Sequence, residues 1–261
     1  MKKSINPLVV RFDSIESTNT EAVARAGQGA PEGLCIVATE QTAGRGREQR
    51  TWYSPPGAGL YMSILFRPAQ PTIHWPLMTM LAAVAVHDSL EDGFALDCDI
   101  KWPNDIHCGG RKISGILAEM CDGGVGQAVV VGIGINLLAV EYSGELIDRA
   151  TSIQKETGRV VSTDDVFPKL LKVLFELYEK FEDSAGFEWL LSEWSRRSSY
   201  GYGKSVRVTL LSESFEGVTR GLETDGALRV ETVDGNRIVR SGDVVALRSK
   251  NTPDALSKDL N

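Results

Sequence analysis

The sequence has few of the residues that mark membrane, exported and metal-binding proteins. No run approaches the about 18 consecutive apolar residues of a membrane-spanning helix, and the opening Met-Lys-Lys-Ser leads into no apolar signal core. There are only three histidines and four cysteines, and the cysteines show no CxxC spacing. His107 beside Cys108 has no second ligand pair at usable spacing, which argues against a zinc site. The cysteines are interpreted as reduced thiols, and the expected location is cytoplasmic.

Basic residues are also in the minority. The 28 Lys and Arg against 35 Asp and Glu give a formal net charge of -7, which argues against general nucleic-acid binding because that usually needs a broadly basic face. Apolar residues make up 42% and charged residues 24% of the chain, as is ordinary for a soluble globular protein of this size. A chain of 261 residues can hold one large domain, or one large and one small.

Against this acidic background, positive charge is concentrated in one short stretch, GRGREQRTW, between Gly44 and Trp52. Arg45, Arg47 and Arg50 lie here beside two glycines. Arginine keeps its charge, and its planar fork matches the paired oxygens of phosphate or carboxylate. Glycine lets the backbone bend and approach a ligand closely. The stretch predicts an anion site, with a solvated basic loop as the alternative.

The pattern of apolar residues changes after about residue 203. Before it, compact apolar runs and helical spacing predict strands at 8–12, 34–39, 60–66, 99–102, 112–120 and 128–135, and helices at 17–26, 76–90, 163–181 and 188–195. After it, five short alternating runs are separated by turns that include Asp225-Gly226 and Asp234-Gly235. Such a series predicts a small barrel-like β domain.

Four further segments place polar residues or glycines at element ends or inside strands. Residues 17–19 (STN) open a helix, where they either bind a polar ligand or simply cap the helix. Residues 101–105 (KWPND) lie at the end of a predicted strand. They either present their side chains at the edge of a site or form a turn without a function. Residues 111–119 (RKISGILAE) place Gly115 as a gap in one strand face, and residues 129–136 (VVVGIGIN) contain mid-strand glycines. Such glycines suggest close approach of a ligand or of backbone.

In this order, the segments GRGR…W, KWPND, RKxxGIL and GIGIN resemble the biotin protein ligase family. The matching blocks run from Ser17 to Asn136, and the β domain after Lys204 fits as well. The resemblance implies an α+β fold, with a mixed central β-sheet carrying helices on one side, related to class II tRNA synthetases. It also implies a small C-terminal SH3-like β-barrel. The implied domains are 1–202 and 203–249, followed by a disordered tail at 250–261.

The resemblance further implies two adjoining binding sites. The biotin site comprises Ser17, Thr18, Asn19, Gln41, Gly44, Arg45, Gly46, Arg47, Lys112 and Gly115. The ATP site comprises Arg47, Arg50, Trp52, Lys101, Asn104, Asp105, Lys112 and Asn136. Lys112, Arg47 and Arg50 are the implied catalytic residues, because fixed cations offset the charge that develops when a carboxylate attacks an α-phosphate.

The implied activity is ATP-dependent formation of biotinyl-5′-AMP, with Mg²⁺ carried by ATP. Biotin then passes to a lysine of a biotin carboxyl carrier domain of a carboxylase. A lipoate or octanoate ligase and a non-catalytic biotin-binding regulator are the alternatives.

Two departures from the family qualify these expectations. Only 16 residues precede Ser17, so the helix-turn-helix domain of some relatives, and with it DNA binding, is not expected. No membrane partner is expected, while a homodimer is possible because relatives often pair through edge strands. Gln49 stands where many relatives have glycine, which predicts a stiffer loop and altered retention of the adenylate.

Overall fold

A mixed seven-stranded sheet forms the centre of the protein, in a computed structural model that describes residues 5–141 and 146–247. The spatial order is β1-β2-β3-β7-β6-β5-β4. β1 and β2 run parallel, and each of the other neighbouring pairs runs antiparallel. The strands are β1 (Leu8–Ile15), β2 (Leu34–Gln41), β3 (Gly59–Phe66), β4 (Cys98–Lys101), β5 (Asp105–Cys108), β6 (Arg111–Gly123) and β7 (Gly126–Asn136).

Helices cover both faces of this sheet. Residues alternate between the faces along a strand, so that Ile36 packs in the cluster that includes Ala22 and Ala26 of α1, while Val37 packs in the larger core with α2, α5 and α6. The predicted mixed sheet is confirmed. The prediction that its helices lie on one side only was wrong, because α1 packs on the face opposite to α2, α5 and α6. The helices are α1 (Thr18–Gly27), α2 (Leu77–Phe94), α3 (Leu146–Arg149), α4 (Ile153–Thr157), α5 (Thr163–Phe181) and α6 (Gly186–Arg196).

The helices follow from their sequences. A crossover is needed to join two parallel strands, and α1 provides it between β1 and β2. Ser162 and Asp165 form a capping box at the start of α5, which satisfies backbone N–H groups that the first turn leaves unpaired. α2 is apolar on nearly all sides and is buried in the larger core. Even so, the described parts of the chain contain no helix long and apolar enough to cross a membrane.

A second, five-stranded antiparallel sheet follows, in the order β11-β10-β9-β8-β12. The indole of Trp102 is buried and its Nε1 donates to the Gly226 carbonyl oxygen at 3.1 Å. Gly226 has φ +81°, and a methyl there would lie 2.8 Å from Leu77, so only glycine fits this contact. The strands are β8 (Tyr202–Thr209), β9 (Ser214–Leu222), β10 (Leu228–Thr232), β11 (Gly235–Val239) and β12 (Asp243–Ala246).

The predicted helix at 163–181 is confirmed at both ends, whereas three short elements were missed. β5 begins at Asp105, the last residue of the predicted 101–105 segment, and continues to Cys108 through residues that were assigned to no element. α3 and α4 also lie in a region left without elements. The second sheet begins at Tyr202, close to the predicted division at 202 and 203, which as a division between domains stays a prediction. The predicted tail at 250–261 lies outside the described residues.

Candidate active site

Residues 44–52 form a closed hairpin, here called the arginine hairpin. Trp52 N donates to Gly44 O at 2.9 Å, and Gly46 N donates to Arg50 O at 2.7 Å. A methyl on Gly44 would collide with the Trp52 carbonyl oxygen and lie 2.7 Å from Ser54 Oγ. Gly44 is therefore required by packing, because only a hydrogen fits beside that carbonyl.

The tip of the arginine hairpin has left-handed backbone at two residues that are not glycine. Glu48 has φ +55° and Gln49 has φ +61°. This region of backbone space favours glycine, because a Cβ approaches the following carbonyl oxygen there. Gln49, where the resemblance predicts glycine in many relatives, therefore stands at a position whose backbone suits glycine.

The start of α1 and the end of β2 are joined by a polar cluster. Ser17 caps α1 through Thr20 N at 3.5 Å. Gln41 Oε1 accepts from Thr18 N at 2.9 Å and from Thr18 Oγ1 at 3.1 Å, and Gln41 Nε2 donates to Ser54 Oγ at 2.9 Å. The predicted biotin-site residues Thr18 and Gln41 are thus in direct contact, and Ser54 extends their network towards the arginine hairpin.

The network continues across the sheet to Arg45. Ser63 Oγ, fully buried on β3, donates to Thr18 Oγ1 at 2.7 Å or to Asn19 Oδ1 at 2.5 Å. Asn19 Nδ2 donates to Glu119 at 2.9 Å, and the same carboxylate accepts two bonds from Arg45, at 2.7 and 3.1 Å. Arg45 was expected to contact biotin, but the structure pairs it with Glu119.

Glycines on β6 and β7 create a gap on the face that α1 covers. A methyl on Gly132 would collide with Asn19, and one on Gly134 would collide with the Trp52 indole. A methyl on Gly115 would lie 3.0 Å from both Trp52 and Lys112. The mid-strand glycines therefore leave room for three of the predicted site side chains, Asn19, Trp52 and Lys112. Trp52 Nε1 is buried and has no hydrogen-bond partner in the described part of the chain.

Lys112 faces this gap and is held by Asp105. Its Nζ lies 2.6 Å from Asp105 Oδ1 and 5.3 Å from the centre of the Trp52 ring. Burial alone would raise the pKa of Asp105, but the neighbouring His107, Lys112 and Lys101 outweigh it and lower that pKa to about 2. Asp105 is therefore ionised at neutral pH and neutralises part of the local positive charge.

Three further cations surround the pair. Burial lowers the pKa of Lys101, although Asp105 and Asp243 oppose the shift. Arg47 donates to Asn104 Oδ1 at 3.2 Å. Arg50 binds Asp243 through two hydrogen bonds, of 2.6 and 3.2 Å, and this contact lowers the pKa of Asp243.

Arg50 was expected to contact phosphate, whereas in the structure its side chain pairs with Asp243 of the second sheet. Asp243 opens β12, so the ion pair connects the arginine hairpin to that sheet. A cleft of about 1070 Å³ separates hairpin and sheet, and its lining includes Arg47, Arg50, Leu210 and Gly242. It is distinct from the gap over Gly115.

Asn136 lies at the end of β7, where the sequence placed it. It is buried, and its Nδ2 donates to the Thr151 carbonyl oxygen at 2.9 Å. Thr151 N in turn donates to the Lys112 carbonyl oxygen at 2.9 Å. The amide thus fixes the segment that runs beside Lys112.

Sequence reasoning missed several residues of this arrangement, among them Ser54, Ser63, Glu119 and Asp243. Ser63 is a polar residue in an otherwise apolar strand, which is a usable signal, since buried polar groups need partners. Glu119 shares the face of Gly115 by strict alternation, so it too was within reach. Asp243 lies 193 positions from Arg50, and no local pattern could have indicated that contact.

Comparisons with known proteins agree with this geometry. Residues 11–136 match the biotin/lipoate A/B protein ligase family, and residues 201–246 match the biotin protein ligase C terminal domain. The bifunctional ligase/repressor BirA of Bacillus spizizenii is 37% identical over 235 residues, which are 89% of this chain and 72% of that protein. The biotin–[acetyl-CoA-carboxylase] ligase of Paracoccus denitrificans is 34% identical over 88% of this chain and 96% of that protein.

A solved structure is similar over nearly the whole chain. The biotin protein ligase from Aquifex aeolicus in complex with biotin and ATP has a TM-score of 0.78 and 29% sequence identity. The match covers 92% of this chain and 99% of that one. Sequence, fold and site geometry agree: the chain belongs to the biotin/lipoate A/B protein ligase family and is an enzyme.

Proposed function

We propose that the protein is an ATP-dependent biotin protein ligase. It forms biotinyl-5′-AMP from biotin and ATP with release of pyrophosphate, and then transfers biotin to a lysine of a biotin carboxyl carrier domain. The observation that carries the proposal is one gap, over Gly115 and Gly134, bounded by the polar network of Thr18, Asn19 and Gln41 and by the ammonium of Lys112.

The polar network suits the ureido group of biotin. That group has two N–H donors and one carbonyl acceptor. The hydroxyls of Thr18 and Ser63 and the amides of Asn19 and Gln41 each donate or accept, so they can exchange their mutual bonds for bonds to the ring. The buried Ser63 and the carboxylate of Glu119 orient Asn19, which reduces the ordering cost of binding.

The cations suit the acid end of biotin and the phosphates of ATP. Attack of a carboxylate on an α-phosphate brings two anions together and adds charge to the phosphoryl oxygens. Lys112 and Arg47 are held by Asp105 and Asn104, so their charges are placed before the reaction begins. Preorganised charges of this kind stabilise a transition state without further rearrangement.

Mg²⁺ would accompany ATP. The donors near Lys112 fit it, because the ionised Asp105 and the amide oxygen of Asn104 are oxygen ligands, the type that Mg²⁺ prefers. Most of its ligands would be phosphate oxygens and water. When bound it supplies charge neutralisation at the phosphates.

The arginine hairpin serves as the lid of the site. The adenylate is a mixed anhydride that water hydrolyses, so the reaction needs a cover that excludes water. Trp52 fills the gap over Gly115 and Gly134, and biotin lying there would displace the indole towards the nucleotide. An opening hairpin then admits the carrier lysine, whose amine attacks the anhydride carbonyl as AMP leaves.

Relatives named biotin–[acetyl-CoA-carboxylase] ligase support the carrier domain of such a carboxylase as the protein substrate. The cytoplasm, where ATP and carboxylases meet, is the proposed location.

The proposal is tested by biotin-dependent exchange between ATP and labelled pyrophosphate, followed by transfer to a carrier domain read by mass. We expect exchange with biotin, and none above background with lipoate or octanoate. Exchange with lipoate alone would assign the related ligase activity instead. Biotin binding without exchange or transfer would indicate a regulator and would refute the proposal.

A further inference from the structure

Cys98 and Cys108 form a close pair of free thiols at the edge of the main sheet. They lie directly opposite each other in β4 and β5, and their sulfur atoms are 3.0 Å apart. Opposite residues in an antiparallel pair have Cα atoms about 4.5–5.5 Å apart, within the range that a disulfide spans. The backbone is therefore already placed for a bond between these sulfurs.

The two thiols differ in access and in ionisation. Cys98 lies on the edge strand and is partly exposed, whereas Cys108 is buried. The hydrogen bond between the thiols lowers the pKa of Cys108. Arg111 lowers that pKa further, while burial and Glu156 raise it by less. The same hydrogen bond, together with burial, raises the pKa of Cys98. Cys108 is accordingly the better nucleophile of the pair, and Cys98 is the one that lies nearer to solvent.

We propose that Cys98 and Cys108 are a reversible modification site, at which hydrogen peroxide converts the two thiols into an intramolecular disulfide. Cys108 thiolate attacks the peroxide, so that an S–O bond forms and the O–O bond breaks, and the departing hydroxide takes the proton of that thiol as one water. Cys98 thiol then attacks the Cys108 sulfenic acid, so that an S–S bond forms and the S–O bond breaks. The departing hydroxide takes the remaining proton as a second water. Two thiols lose two electrons and two protons, and one peroxide becomes two waters.

The bond would close a ring around part of the candidate active site. Residues 98–108 include Lys101, Asn104 and Asp105, and also Trp102, which contacts the second sheet. Oxidation would tie together the two strands that carry these residues. The proposal concerns the thiols alone and does not depend on the ligase activity.

The other two cysteines provide internal controls. Burial raises the pKa of Cys35 to about 12 and also raises that of Cys121. Thiols with little thiolate react slowly with peroxide, so both are expected to remain reduced under mild treatment.

The test uses the full-length protein, reduced, desalted and treated with a small excess of hydrogen peroxide. It is then denatured, alkylated with N-ethylmaleimide and digested with trypsin. Trypsin cleaves after Lys101, so Cys98 and Cys108 fall in different peptides. We expect these two peptides to be linked, an intact mass about 2 Da lower before alkylation, and adducts only at Cys35 and Cys121. Dithiothreitol should restore four adducts.

Two variants make the result specific. Cys98→Ser should lose the linked peptide, while the matched Cys35→Ser should keep it and show one adduct fewer. The proposal is overturned if wild type keeps four reactive thiols until sulfinic acids appear, or if the bond forms between molecules. Linkage through Cys35 or Cys121 would also overturn it. If Cys98→Ser fails to fold, the wild-type peptide map still decides.

Discussion

Replacing Gln49 by glycine tests whether the backbone at the tip of the arginine hairpin limits its closure. Gln49 has φ +61° and its side chain is exposed, so the substitution removes a Cβ from a conformation that it strains and leaves the core untouched. Left-handed backbone costs a residue with a Cβ about 1–2 kcal/mol. Glycine does not have this cost, so the closed hairpin should be more stable in Gln49→Gly.

The gain is partly offset by entropy. In an open loop glycine has more backbone conformations than alanine, so ordering it when the hairpin closes costs about 0.5–1 kcal/mol more. The net gain is therefore on the order of 0.5–1 kcal/mol, which corresponds to about a two- to fivefold higher ratio of closed to open hairpin. If release of the adenylate requires opening, its rate should fall by the same factor.

The assay forms labelled biotinyl-5′-AMP on the enzyme in a single turnover, dilutes the complex, and follows release with hydroxylamine as a trap. A second measurement needs no ligase activity: trypsin nicking after Arg47 and Arg50 reports opening of the hairpin. Gln49→Gly should slow both processes. Gln49→Ala is the matched control, because alanine keeps the Cβ and hence the strain, so it should behave as wild type.

Two results would refute this reasoning. Equal slowing in Gln49→Ala and Gln49→Gly would mean that the glutamine side chain, and not the backbone, limits closure. Faster release and faster nicking in Gln49→Gly would mean that the added freedom of glycine outweighs the relief of strain.

Substitutions elsewhere separate the parts of the site. Lys112→Ala should lower adenylate formation in pyrophosphate exchange by about 10²–10³-fold with an unchanged circular-dichroism melt; a normal rate would contradict its role. Glu119→Gln removes the charge that binds Arg45 and should raise KM for biotin more than KM for ATP. Asp243→Asn loses an exposed ion pair, which should change the free energy of unfolding in urea by less than about 1 kcal/mol. The same variant should lower KM for ATP, because Arg50 is then free to bind phosphate. A higher KM would show that Asp243 positions Arg50 instead. The pKa of Asp105 is lowered in the folded protein, so its ionised carboxylate contributes about 2 kcal/mol to the free energy of unfolding above pH 4, and this contribution is lost as the pH falls towards 2. The free energy of unfolding of Asp105→Asn, measured in urea, should lack this part of the pH dependence.

Local patterns predicted the elements whose signals are local. The helix at 163–181 has apolar spacing and a cap at Ser162, and its bounds match the structure. β5 was missed because it has only four residues, the first of which is the Asp of the Pro-Asn-Asp segment, and four residues carry too little pattern. The face covered by α1 was also hidden, because β2 is apolar at consecutive positions from Leu34 to Ala38 and is buried on both faces. The alternation of apolar and polar residues then does not indicate which face of the sheet each helix covers.

The sequence gives a set of candidate site residues, which stays a prediction, and it says little about the contacts between them. Motifs brought Thr18, Gln41 and Lys112 into one list, and the structure places them around one gap. The strand face of Glu119 was predictable from alternation. Its pairing with Arg45, like the pairing of Asp243 with Arg50, was not predictable, because a salt bridge is determined by which segments meet in space. Glu119 and Asp243 come from two different sheets.

The hydrogen bond from Trp102 to Gly226 has a consequence for building split or chimeric forms of this enzyme. The acceptor is a main-chain carbonyl, so a grafted second sheet of unrelated sequence can supply it if the turn keeps its shape and its glycine. A graft that lacks either leaves a buried indole N–H unpaired, at a cost of about 1–3 kcal/mol. That cost falls on the segment that also carries Lys101 and Asn104. The turn at Gly226 is thus the part of any donor sheet to match first.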